Sequence, residues 1–226
     1  MAVTKKEDVP IIENGEKLIA LSHLSQKIIV EPQYYLNGIS GAINECYLRE
    51  GAVERLLQAT KLLPSEHFFV VFDGWRPFEV QMELYQRFKL KMLSDGVPRK
   101  RVENKVANFV DFPSKDPAKP SNHLTGGAID LTIAKRDGPL NMGTDFDDFS
   151  NKAVTDAYEC LTHVNDEEIL IKRNRRLLKG IMEDAGFLNY KEEWWHYDYG
   201  NQNWAKAYGK TAIYGGILSL EGNLKT

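Results

Sequence analysis

Apolar positions along the chain alternate between helical and extended spacing. Through residues 49–63, Val53, Leu56, Leu57 and Leu63 recur on one helical face, and Pro64 closes the segment. Residues 67–72 then form a short β-rich run, His-Phe-Phe-Val-Val-Phe, the pattern of a buried strand. Val80, Leu84, Phe88 and Met92 repeat every fourth residue and predict a helix over 78–93. Residues 99–108 and 151–162 are expected to be shorter helices. A further helix starts at a cap on Asn165 or Asp166 and runs to Ala185, with Leu170, Leu177, Leu178, Ile181 and Met182 inward and Gly186 as its stop. In 128–133 the period is two: Ala128, Asp130 and Thr132 share one face, Ile129, Leu131 and Ile133 the other, which is expected to be core. The aromatic stretch 192–199 also suits a strand. Residues 135–140 suit a hairpin turn around Asp137-Gly138-Pro139. Residues 1–45 are expected to be irregular, with short extended pieces such as 27–30, packed on a single domain spanning 1–226.

Composition narrows the classes. Hydrophobic residues at 42% and charged residues at 27% fit a soluble globular protein. A formal charge of −3 gives no reason to expect nucleic acid or an anionic membrane as partner. The local run Lys172-Arg173-Asn174-Arg175-Arg176 follows Glu167-Glu168 and is expected to be a solvated helix face. No run approaches a membrane span of roughly eighteen apolar residues, and the first fifteen residues lack a signal-like apolar stretch. Cys46 and Cys160 stand far apart, outside any Cys-x-x-Cys spacing, so a reduced cytoplasmic protein is expected.

The candidate chemistry lies in two clusters. In Ser121-Asn122-His123-Leu124-Thr125-Gly126-Gly127-Ala128-Ile129-Asp130, paired glycines argue against a helix. They favour a loop carrying His123, a sharp bend, and a strand that aims Asp130 into space His123 can reach. An imidazole and a carboxylate converging without a basic neighbour suit zinc. Alone, this pair is a weak signal. A second cluster, Glu192-Glu193-Trp194-Trp195-His196-Tyr197-Asp198-Tyr199, strengthens it, because His196 completes a His-Asp-His set with a fourth position left for water. A neighbouring carboxylate then serves as general base. Strand parity puts Glu192 on the face of His196, and only a bend at Trp194 brings Glu193 round, so spacing leaves the two open. Arg76, in Asp73-Gly74-Trp75-Arg76-Pro77, sits on a strand-to-helix turn; a surface ion pair with Asp73 is the plainer explanation. Residues 112–120 form a loop bordering a cleft, and 141–149 an acidic loop whose spacing does not fit an EF-hand. Tyr34 and Tyr35 are expected to pack over the core rather than line a pocket. The tail from Gly200 offers no chemistry.

Taken together, Ser121-x-His123-x-x-Gly126-x-Ala128-x-Asp130, Glu193-Trp194-Trp195-His196, Asp73-Gly74-Trp75-Arg76-Pro77 and Met142-Gly143-x-x-Phe146-Asp147 resemble the zinc D-Ala-D-Ala dipeptidases, the VanX-like branch of the M15 D-alanyl peptidases. The matches fall in family order over about half the chain. The resemblance implies an α+β fold, an antiparallel sheet flanked by helices, shared with D,D-carboxypeptidases and the Hedgehog signalling domain. It implies one zinc (Zn2+) per chain on His123, Asp130 and His196, with Glu193 as acid/base. Arg76 would bind the developing oxyanion, and Ser121 and Asp147 the ammonium of a small dipeptide substrate. Trp75 replaces the family's tyrosine. A Glu-Arg-Ser-His-His run found in some members is missing, and His163 does not replace it.

The activity so implied is hydrolysis of D-alanyl-D-alanine. A D,D-carboxypeptidase trimming longer wall peptides is disfavoured by Asp147, since a carboxylate that takes a free amine closes the site to a longer chain. A non-catalytic, Hedgehog-like zinc module has no use for Glu193 or Arg76.

Overall fold

The computed structural model describes residues 6–106, 110–159, 161 and 165–225. Cys160 and His163 lie outside that set, as do the ends of the helices expected over 99–108 and 151–162. Strands and helices follow one another as β1 (Leu18–Ala20), β2 (Ile28–Val30), α1 (Gln33–Leu36), β3 (Tyr47–Arg49), α2 (Glu50–Leu62), β4 (Phe68–Asp73), α3 (Phe78–Ser94), α4 (Arg99–Val106), β5 (Ala128–Lys135), β6 (Gly138–Pro139), α5 (Asp166–Asp184), β7 (Leu188–Asn189), β8 (His196–Asp198) and α6 (Gln202–Tyr208). The fold is α+β. β1 and β3 form a small antiparallel pair, and the main sheet runs β2-β4-β5-β8-β7 with β6 on β5. Its pairings are antiparallel except one. β2 and β4 run parallel, because the connection between them carries α1, β3 and α2 and is long enough for a crossover. The sheet is therefore mixed, where the resemblance implied an antiparallel one.

β5 is the sheet's centre. Ile129, Leu131 and Ile133 pack in one core with Phe69 and Val71 of β4, Leu56 of α2, and Leu178 and Met182 of α5. The opposite face, Ala128, Asp130 and Thr132, is buried too. Arg49 ties this strand's entry to the N-terminal segment: Nε donates to Thr125 O, and Nη1 and Nη2 reach both carboxylate oxygens of Glu13.

α5 opens on a capping box, with Glu168 N donating to the Asn165 side chain and Asn165 N to that of Glu168. Its inward face differs from expectation at Leu170, which is 49% exposed; Ile171 is buried instead. Within the expected solvated basic run, Asn174 and Arg175 are buried. The Arg175 guanidinium donates to the carbonyls of Met142, Lys152 and Val154. Residues 151–159 form successive turns rather than a helix, and two of their carbonyls, Lys152 and Val154, are satisfied by this side chain from α5. The C-terminal aromatic strand is shorter than expected. Only His196–Asp198 is extended, and 191–195 turn so that Trp194 and Trp195 are both buried, their rings edge to face. Among the described residues no helix is long and apolar enough to cross a membrane.

Close backbone approach fixes the entry to β5. A Cβ at Gly127 would lie 2.3 Å from the carbonyl oxygen of Tyr199, whose N–H pairs with Gly127 O. Gly127→Ala should therefore destabilise the fold by about 1–3 kcal/mol in chemical denaturation. Gly180→Ala, at an exposed α5 position with open space around it, should stabilise by about 0.5–1 kcal/mol. Equal effects from the two would contradict the packing described.

Candidate metal centre and active site

Three local features bring the site residues together. His123 opens a 3-10 turn, His123–Thr125, which ends at Gly126 in the left-handed region at φ 69°. A register shift between Val71 and Asp73 sets Asp73 directly opposite Asp130. β8 then pairs with β5 so that His196 faces Asp130 across the ladder.

The result is a buried triad. His123 Nε2 lies 3.2 Å from His196 Nδ1 and 3.3 Å from Asp130 Oδ2, and His196 Nδ1 lies 3.0 Å from Asp130 Oδ1. The outer nitrogens fix the tautomers. His123 Nδ1–H donates to Gly74 O at 2.8 Å, and His196 Nε2 meets the fully buried Asp198 carboxylate at 3.1 Å. With both rings neutral, the nitrogens turned toward one another carry lone pairs, beside a carboxylate. A proton on His196 relieves one edge of that set; a metal ion satisfies all three. The spacing is close to that of such an ion, since metal–ligand bonds of about 2.0–2.2 Å in a tetrahedron give donor separations of about 3.3–3.6 Å. His123, Asp130 and His196 can thus hold a metal ion.

The surrounding charges favour positive charge within this set. Burial alone would raise the Asp130 pKa, but His123 and His196 hold it well below the usual carboxylate range. Burial opposes charge on His196, yet Asp198 and Asp130 lift its pKa well above the ordinary value. Asp198 also accepts from Nδ2 of Asn201 and Asn203. The tail, expected to be without chemistry, thus holds the carboxylate that supports His196.

A cavity of about 380 Å³ opens on the triad. Glu193, Arg76, Ser121 and Asp147 all line it, together with Tyr34, Tyr190 and Lys6. The turn at 191–195 brings Glu193 round to the cavity, with Oε2 3.9 Å from His196 Nδ1, while Glu192 points out beside Lys191. Strand parity fails because the strand begins only at His196. Burial pushes the Glu193 carboxyl up to about 8, against the pull of His196. Arg76 pairs with Asp73 at 2.7 Å, as the plainer explanation had it, but the pair is internal: Arg76 is 7% exposed. Its Nη1 donates to Gln81 Oε1, Nη2 lies 3.5 Å from Asp130 Oδ2, and the guanidinium stacks 4.7 Å above the Tyr34 ring. Burial would lower the Arg76 pKa, but the surrounding acidic groups more than offset it, so the cation persists. Asp147 sits at φ 59° and accepts from the Tyr34 hydroxyl at 3.2 Å; burial pushes its carboxyl up to about 7. Tyr34 is thus a cavity residue rather than simple core packing. Ser121 Oγ is buried with no hydrogen-bond partner among the described residues.

A donor triad beside a carboxylate and a buried guanidinium has the layout of a metallohydrolase. The M15 peptidase profile, described as D-ala-D-ala dipeptidase, matches residues 30–213, and the chain belongs to that family. It is 30% identical to the D-alanyl-D-alanine dipeptidase of Synechocystis sp. over 92% of this chain and 95% of that one. It is 27% identical to the D-alanyl-D-alanine dipeptidase of Escherichia coli over 68% of this chain and 66% of that one. Among solved structures, it resembles VanYB in complex with D-Alanine-D-Alanine at a TM-score of 0.44 and 16% identity, covering 75% of this chain and 82% of that one.

Asp198 had no assigned role in the sequence pattern, yet it orients His196. Asp198→Asn should lower metal affinity about 10–100-fold while the protein stays folded. Metal content after dialysis against graded chelator checks this; a folded variant with unchanged affinity would contradict it.

Proposed function

We propose that the chain is a zinc dipeptidase that hydrolyses D-alanyl-D-alanine to two D-alanines. One observation carries the reading: the three-donor cluster faces the same cavity as Glu193, Arg76 and Asp147. Zinc on His123, Asp130 and His196 would supply a Lewis acid that lowers the pKa of water to about 7. The rest falls to the chain's own side chains. Glu193, raised in proton affinity by burial, takes the proton from the attacking water and delivers it to the leaving amine. Arg76 stays charged and rigidly held, so its guanidinium meets negative charge developing on the scissile carbonyl oxygen without reorganising. At the amine end, Asp147 and the unpartnered Ser121 Oγ receive the substrate ammonium in charge-assisted hydrogen bonds.

Glu193→Gln should retain the metal and lose about 10²–10⁴-fold in turnover, with Glu192→Gln nearly silent. The reverse pattern would make Glu192 the base. Substrate choice tests the whole reading. Free D-Ala-D-Ala should be cleaved with a kcat/KM far above that of its N-acetyl form or a wall-type pentapeptide, because acylation removes the charge that pairs with Asp147 and leaves that buried carboxylate without a cation at the amine end. Asp147→Ala should narrow the gap. A pentapeptide cleaved as well as the dipeptide would make the protein a D,D-carboxypeptidase.

A further inference from the structure

A dipeptide is a zwitterion, and the proposed site accounts for only one of its charges. The free carboxylate at the other end needs a cation that the catalytic groups have not already used. Arg76 is committed to Asp73, Gln81 and Asp130. Arg87 and Lys91 line the cavity from the exposed side of α3, and Arg87 is tied to Glu83 at 2.7 Å. Lys6 differs from both. It comes from a short 3-10 turn, Lys6–Asp8, outside the residues 30–213 that match the family profile. Its side chain is only 17% exposed, and it lines the cavity beside the loop that bears His123.

Lys6 is held in place from two sides. Nζ donates to Asp111 Oδ2 at 2.8 Å and to Asn122 Oδ1 at 2.7 Å, and Asn122 N donates to the same Asp111 oxygen. Burial would raise the Asp111 pKa, but Lys6 holds it low, so this is an ion pair rather than a neutral contact. The segment behind Lys6 is anchored as well, with Val9 packed on Trp204, Ala205 and Ala212 and its carbonyl accepting from Gln202 Nε2. An ammonium has three N–H donors. Two are spent on Asp111 and Asn122, and among the described residues the third has no partner. A fixed, mostly buried cation with a donor to spare, in the cavity proposed to take a zwitterion, suits a carboxylate anchor.

Resting on the dipeptidase reading above, we propose that Lys6 binds the C-terminal carboxylate of the substrate. The N-terminal segment thereby completes a site whose chemistry lies in the family's own region. This contact is the same in ground and transition states, so its loss appears in KM rather than kcat.

The test compares zinc-loaded wild type, K6M, K6R and K91M on D-Ala-D-Ala and on its C-terminal amide, by kinetics and by calorimetric binding in the E193Q background. K6M keeps the aliphatic stem and should raise KM for the acid roughly 10- to 100-fold with kcat little changed. Its preference for acid over amide should fall by the same factor, and K6R should restore much of it. A purely structural role for Lys6 would weaken acid and amide alike and leave the preference intact, which overturns the proposal. Loss of the preference in K91M but not in K6M overturns it too, and moves the anchor to α3. Wild type that binds neither ligand overturns the dipeptide reading and the anchor with it. Wild type that cleaves the dipeptide, with an unchanged acid preference in K6M, overturns the anchor alone.

Discussion

Two imidazole nitrogens and a carboxylate lie 3.0–3.3 Å apart in the interior, and the structure around them exists to tolerate that arrangement. Left alone, such a cluster repels itself; it is stable only with positive charge at its centre. The chain also surrounds it with compensation. Arg76 supplies a permanent cation on the Asp130 side, itself neutralised by Asp73. Asp198 does the converse on the His196 side, accepting the outer N–H and favouring positive charge on the ring. Each support is itself hydrogen-bonded, Arg76 by Gln81 and Asp198 by Asn201 and Asn203. Support of this kind fixes ligand orientation and tunes basicity, which a bare set of three ligands cannot do.

Much of this was legible in the sequence because it is local. The Gly126-Gly127 bend, the alternation that aims Asp130 away from Ile129 and Leu131, and the capped helix beginning at Asn165 all follow from spacing and residue type. The features that were not legible depend on tertiary partners. Nothing around Trp194 announces that 191–195 will turn; the turn arises because two consecutive indoles are both buried. Arg175 sits in a run with every sign of a solvated face, yet the carbonyls it captures lie about twenty residues upstream and beyond. The parallel pairing of β2 with β4 depends on where a long connection crosses, not on either strand's composition. Tyr34 and Lys6 belong to a segment expected to be irregular, and both line the cavity.

The cavity is lined by charged groups of both signs. Asp147 is paired with the Tyr34 hydroxyl and Lys6 with Asn122, and both pairs line it together with Glu193, Arg76 and the donor triad. A short peptide with both termini free matches that distribution better than a segment of a long chain does. Recognition of two opposite charges discriminates more sharply than burial of two methyl groups, because a missing charge leaves its partner unpaired in a dry site.

The central claim is that His123 Nε2, an Asp130 oxygen and His196 Nδ1 bind one zinc ion. Anomalous diffraction at the zinc absorption edge, on crystals of the protein purified with its native metal, measures this directly. The account predicts one strong peak per chain at about 2.0–2.2 Å from each of these three atoms. A triad without a peak, or a metal bound through His196 Nε2 on the Asp198 side, would contradict it.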